Sequence, residues 1–143
     1  MIIIPARIGS SRFPNKVLAD IGGMPMVVRT AKAVEDIDDV VIATDAEEVV
    51  DMAAKHDIKA VLTSTDHQSG TDRIYEAAQK LNLDEDEIII NVQGDEPFIE
   101  TEVVQAIYDL TKKNKENERI MMNSCYKTIT NPEADDPNIV KVV

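Results

Sequence analysis

Arg7, Arg12 and Lys16 stand around Gly9-Ser10-Ser11, and far along the chain Gln93-Gly94 is followed by two carboxylates, Asp95-Glu96. Two guanidinium forks and one ammonium can bracket a polyphosphate, while small residues let backbone N–H groups approach it. An Asp just past a buried strand suits Mg²⁺ on a phosphate. That ion takes one or two carboxylates and fills its shell with substrate oxygens and water. Between these stretches lies Thr63-Ser64-Thr65-Asp66-His67-Gln68-Ser69-Gly70-Thr71-Asp72-Arg73, in which ten of eleven residues carry polar side chains. That hydrogen-bonding density suits a base or sugar edge.

Each stretch also has a plainer reading that its local sequence leaves open. The first can be a surface loop that happens to be basic. Ser69 or Thr71 can cap a helix, with Asp72 in its first turn. Gln93–Pro97 can be an Asp-Glu-Pro turn in which Gly94 permits an unusual backbone conformation and Glu96 faces away. His67 alone is weak evidence, and Asp45, just after Thr44, could sit near the same rim, although its neighbours Glu47 and Glu48 suit a helix start. The basic loop lacks the Gly-x-x-x-x-Gly-Lys-Ser/Thr order of a Walker loop. One Cys and two His support neither a nucleophilic triad nor a zinc site.

The elements that must position these loops alternate along the chain. Met1–Pro5, Asp39–Thr44, Lys59–Leu62 and Glu87–Val92 read as strands. Met24–Val34, Ala46–His56, Thr71–Leu81 and Thr101–Lys112 read as helices, with Thr101 and Glu102 suited to a helix start. Met121–Ile129 and Asn138–Val143 read as later strands. The βαβαβ order predicts a mostly parallel sheet with helices on both faces. Ligands of such sheets collect outside the carboxyl ends of the strands, where all three polar stretches fall.

Composition narrows the possibilities. At 143 residues the chain is one domain able to bury a core. Its net charge of -12 is uneven: residues 1–19 hold three cations and no acid, leaving -15 on the remainder. An acidic body with 3% aromatic residues and no Trp argues against nucleic-acid and anionic-membrane partners. The single Cys125 excludes an internal disulfide and fits a reducing cytoplasm. No apolar run reaches 18 residues. Ile139-Val140-Lys141-Val142-Val143 stops in mid-strand, so we expect residues 1–143 to be the nucleotide-binding portion of a domain continuing beyond Val143.

The three stretches together resemble the cytidylyltransferase family that makes CMP-Kdo, the activated form of 3-deoxy-manno-octulosonate (Kdo). The likeness runs from Ile4-Pro5-Ala6-Arg7-x-x-Ser10-x-Arg12-x-Pro14-x-Lys16 through Gly23-x-Pro25-Met26 and Ala43-Thr44-Asp45. It continues in Asp66–Arg73, Asn91–Pro97 and Asn138-x-Val140-Lys141-Val142-Val143. The first motif is shared loosely with many sugar nucleotidyltransferases, whereas the second and third together are specific. Phe13, Asn15 and Val17 stand where the family often has Leu, Gly and Pro, and Met24 replaces a frequent Lys. Asn15 tolerates a left-handed backbone, so the loop can keep its shape.

The resemblance implies a Rossmann-like nucleotide-diphospho-sugar transferase fold, C-terminally incomplete, and the reaction of CTP with Kdo to give CMP-Kdo and pyrophosphate for lipopolysaccharide biosynthesis. Arg7, Arg12 and Lys16 would hold the triphosphate, with Ala6 and Ser10 in the same loop. Ser69, Gly70, Thr71 and Arg73 would sit at the cytidine side, Gln93 beside the substrates, and Asp95 on Mg²⁺. It also implies a cytoplasmic homodimer at full length, with the second metal ligand, most of the Kdo pocket and most dimer contacts outside this segment. Residues 1–143 alone would then be inactive. Two alternatives remain at this stage: a cytidylyltransferase for another acidic sugar of sialic or 8-amino-Kdo type, and a truncated CTP-binding module without turnover.

Overall fold

A computed structural model describes residues 1–9, 14–117, 119–126 and 128. Strands β1 (Ile2–Ala6), β2 (Val40–Thr44), β3 (Lys59–Leu62) and β4 (Ile90–Asn91) form a parallel sheet ordered β3-β2-β1-β4. Helices α1 (Met26–Val34), α2 (Glu47–Ala54), α3 (Gly70–Lys80) and α4 (Thr101–Asn114) connect and follow the strands. The expected α/β architecture, Rossmann-like with helices on both faces, is the one observed.

The apolar runs at β1 and β2 make these strands central, because both of their faces are covered. Side chains alternate across a strand. Ile2, Ile4 and Ala6 thus point into a core with Val27, Val28, Ala31 and Val34 of α1, Val49 and Ala53 of α2, and Val104 and Tyr108 of α4. Ile3 and Ala43 point the other way, against Ile74 and Ala77 of α3. Ile2, Ile3 and Ile4 have no exposed surface, and full burial of one such side chain is worth about 1.5–3 kcal/mol.

This division of helices locates the crevice. From β1 the chain steps outward through α1 to β2 and through α2 to β3, with both helices on one face. It then returns along α3 on the opposite face to β4, on the far side of β1. The strand order therefore reverses between β1 and β4, the switch point where ligands bind in such sheets. β1 pairs with β2 along all five residues but with β4 only at Ile2↔Ile90 and Ile3↔Asn91. Beyond these pairs the ladder ends after the Val92 N–H to Ile3 carbonyl contact at 3.4 Å, although Gly94 still packs against Pro5.

Several elements differ from expectation. The strand expected over Glu87–Val92 contracts to Ile90–Asn91. Residues 121–126 form no strand, and Met121, Met122 and Tyr126 are 98%, 82% and 83% exposed, so nothing packs on them to fix an extended segment. The rest of Met121–Ile129, apart from Thr128, and all of Asn138–Val143 lie outside the described residues. Thr101 starts α4 as expected but does not cap it: its hydroxyl donates to the Ala33 carbonyl at 2.9 Å, tying α4 to the end of α1. The Met1 ammonium bridges Asp38 and Glu87, each at 3.1 Å, and Asp38 also accepts from the Tyr108 hydroxyl of α4.

Candidate functional site

The basic loop leaves β1 after Ala6, a buried residue paired with Thr44, and Arg7 is the first exposed side chain past the sheet. Ser10 and Arg12 lie outside the described residues. The chain re-enters through Asn15, whose φ of 55° and ψ of 28° are left-handed, the conformation that Asn allows in place of Gly. A 3-10 turn over Lys16–Leu18 follows, anchored by the buried Val17, and presents Lys16.

On the other side of the switch point, Gln93-Gly94-Asp95-Glu96 forms a turn closed by the Glu96 N–H donating to the Gln93 carbonyl at 3.2 Å. Gly94 has no positive φ, so its expected role in an unusual backbone conformation is corrected. A Cβ there would stand 3.0 Å from the Pro5 carbonyl oxygen and 3.4 Å from the Ala6 Cβ. Glycine is needed because the two chains approach so closely. From beneath, the Thr30 hydroxyl lies 3.4 Å from the Gly94 carbonyl. Asp95 is thereby held at the rim, and its Oδ2 accepts from the Lys16 ammonium at 2.7 Å.

The third stretch meets the same point. A Cβ on Gly70 would stand 3.2 Å from the Pro5 ring and 3.8 Å from Nε2 of Gln93. Pro5, Gly70, Gln93 and Gly94 thus form one junction. Ser69 is the helix cap, as the plainer reading allowed: its hydroxyl accepts the Asp72 N–H at 3.1 Å and lies 2.7 Å from the Asp72 carboxylate. Thr71 is exposed on the first turn, and the exposed Gln93 donates to Asn91 Oδ1 at 2.9 Å.

Arg73, expected on the cytidine side, lies beneath this loop with 2% of its surface exposed. Its guanidinium donates to Thr63 Oγ1 at 2.6 Å, to the Ser64 carbonyl at 3.3 Å and to Asp45 Oδ2 at 3.0 Å. These partners occupy the side chain, so it braces the loop instead of offering an open fork. Asp45, which the sequence placed near the same rim, sits there: α2 begins after it, from Ala46, without a side-chain cap and with Glu47 and Glu48 in its first turn. Its second oxygen accepts the Ile8 N–H at 3.0 Å. Its place directly after a buried strand and in the Ala43-Thr44-Asp45 motif signals it in the sequence, but its partners are distant in the chain. His67 pairs with Glu76, which also accepts the Ser64 N–H at 2.9 Å and the Lys80 ammonium at 2.8 Å. Those bonds, Lys80 foremost, hold the Glu76 carboxyl well below its ordinary range, at about 2.

Chemically, the rim offers a hard oxygen donor beside a cation. Among the described residues no group of three or more metal-ligating side chains gathers, so they do not make an all-protein metal cage. Asp95 with the exposed Glu96 fits the other regime, in which Mg²⁺ is held by one or two carboxylates together with a substrate's phosphate oxygens.

Comparison with known proteins agrees with this geometry. The family described as Cytidylyltransferase matches residues 1–143. The 3-deoxy-manno-octulosonate cytidylyltransferase of a Nitratiruptor species is 54% identical over 143 residues, spanning 100% of this chain and 60% of that protein. Its counterpart in Wolinella succinogenes is 49% identical over 144 residues, spanning 100% of this chain and 59% of that protein. The chain thus spans about 60% of the length of these relatives. A solved CMP:2-keto-3-deoxy-manno-octonic acid synthetase complexed with CTP superposes with a TM-score of 0.73 at 39% identity, covering 80% of this chain and 48% of the other. A nucleotidyl transferase from Methanothermobacter thermautotroptrophicus, 21% identical with a TM-score of 0.61 over 76% of this chain and 57% of the other, shares the fold. With a match along its full length and a sheet reversal that sets a cation against a carboxylate, this chain belongs to the cytidylyltransferase family.

Proposed function

We propose that this chain carries the nucleotide-binding half of a 3-deoxy-manno-octulosonate cytidylyltransferase, which transfers CMP from CTP to Kdo and releases pyrophosphate. The observation that carries the reading is the 2.7 Å contact of Lys16 with Asp95 across the β1–β4 crevice, in a chain 54% identical to a relative bearing that name. The anomeric hydroxyl of Kdo attacks the α-phosphorus of CTP in line, and the bond to the β-phosphate bridging oxygen breaks. Arg7, Arg12 and Lys16 hold the β- and γ-phosphates and stabilise the charge on departing pyrophosphate. Asp95 is the residue that would hold Mg²⁺, which when bound neutralises phosphate oxygens. Ala6 and Ser10 shape the phosphate loop, Ser69, Gly70 and Thr71 face the cytidine, and Gln93 lies beside both substrates. Placement and charge complementarity supply the catalysis, with no covalent enzyme intermediate. The resemblance extends the proposal to a cytoplasmic homodimer at full length.

Titration calorimetry of residues 1–143 with CTP and Mg²⁺, beside a pyrophosphate-release assay with Kdo, tests the reading. The expected result is CTP binding by this chain without turnover, and Kdo-dependent release by the full-length protein. A full-length protein that releases no pyrophosphate from CTP and Kdo would overturn the assignment.

A further inference from the structure

We propose that Asp45 is a positioning residue for the triphosphate: it fastens the start of the phosphate loop to the buried pair that also fastens the base-side loop. This inference rests on the reading of the crevice as a CTP site. The side chain of Asp45 is 11% exposed and that of Arg73 3%, so water does little to loosen their contact. One carboxylate oxygen accepts the Ile8 N–H and the other accepts from Arg73, both at 3.0 Å. Arg73 in turn reaches Thr63 and Ser64, where β3 runs into the base-side loop. The Thr63 hydroxyl closes the circuit by donating to the Thr44 carbonyl at 2.9 Å. A single network therefore joins the ends of β1, β2 and β3 to α3, and its members are the residues from which both substrate-facing loops spring.

The choice of residue follows from the chemistry. Two donors converge on position 45, and only an ionised carboxylate offers an acceptor to each; an amide would turn an N–H toward one of them. Arg73 neutralises that carboxylate, so Asp45 can grip the loop without projecting negative charge toward an incoming polyphosphate. Buried ion pairs of this kind add little stability over apolar residues of the same size, but they fix geometry. Displacing a phosphate loop by about 1 Å is enough to lose contacts to the terminal phosphates.

Calorimetry with CTP and with CMP, each with Mg²⁺, tests the role. CMP lacks the two phosphates that the loop would hold. Asp45→Asn should lower CTP affinity about tenfold while changing CMP affinity by less than about twofold. Arg73→Lys keeps a cation beside Asp45 but forfeits the reach to Thr63 and Ser64, so it should weaken CTP and CMP by the same factor. Equal losses for both nucleotides in Asp45→Asn, or no loss, would overturn the proposal. Amide hydrogen exchange on the unaltered chain gives a second reading independent of any variant's folding: Ile8 should be protected without nucleotide, and free exchange there would also overturn it. A chain that binds neither nucleotide removes the CTP reading and this inference together, whereas CTP binding indifferent to position 45 removes this inference alone.

Discussion

Lys16 and Asp95 hold each other while half-exposed, with 39% and 46% of their side-chain surfaces open to water. A pair of that kind contributes about 0–1 kcal/mol to folding, so both partners can exchange each other for a ligand at little cost. Asp95→Asn is accordingly expected to leave the thermal unfolding midpoint almost unmoved while abolishing Mg²⁺-dependent CTP binding here and turnover in the full-length protein. Unfolding scans beside calorimetry with and without Mg²⁺ check both halves, and unchanged binding would remove Asp95 from the metal role. These two residues were legible in the sequence because three cations precede the first acid and because a carboxylate directly follows a buried strand. Asp45 was legible only as a strand-end acid near the rim, not as an anchor of both loops. Its partners Ile8 and Arg73 are 37 and 28 residues away, and only the folded sheet brings them to one carboxylate.

At the scale of elements, α3 and the loop before it are held by Glu76, which gathers the Ser64 N–H, His67 and the Lys80 ammonium. The folded carboxyl titrates near 2 against an ordinary 4.5, so the protonated form is favoured more in the unfolded chain. Its contribution is therefore complete above about pH 4.5 and disappears as pH falls toward 2. Denaturant unfolding of the chain and of Glu76→Gln between pH 2 and 6 should show a stability difference that is constant at the upper end and closes below about pH 4.5. A difference that persists undiminished at pH 2 would contradict this. Helix positions were readable from apolar spacing, and the cap of α3 was narrowed to Ser69 or Thr71, of which the structure shows Ser69. The 3-10 turn at Lys16 and the shortness of β4 were not, because each depends on what packs against it.

Across the whole molecule, the alternation of strand and helix settled the class of fold, and the charge asymmetry pointed to one end of the sheet. On a chain of net charge -12, the stretch of residues 1–19 with three cations and no acid favours the approach of a polyphosphate at that end. What periodicity does not convey is where the β1–β4 ladder ends, and Pro5 supplies the answer. The Ile2 N–H donates to Asp39 on the β2 side at 2.8 Å, while the Met1 and Ile3 carbonyls accept from Ile90 and Val92 on the β4 side at 3.0 and 3.4 Å. By that alternation the next donor aimed at β4 belongs to position 5, where proline has no hydrogen to give. Pro5→Val should restore that donor, protect the new amide from exchange and lower CTP affinity; an unprotected amide with unchanged affinity would refute it. One absent proton thus acts as the stop of a zipper: the ladder ends at Pro5, Gly94 still packs on its carbonyl, and only the loops beyond that contact are left to diverge around a nucleotide.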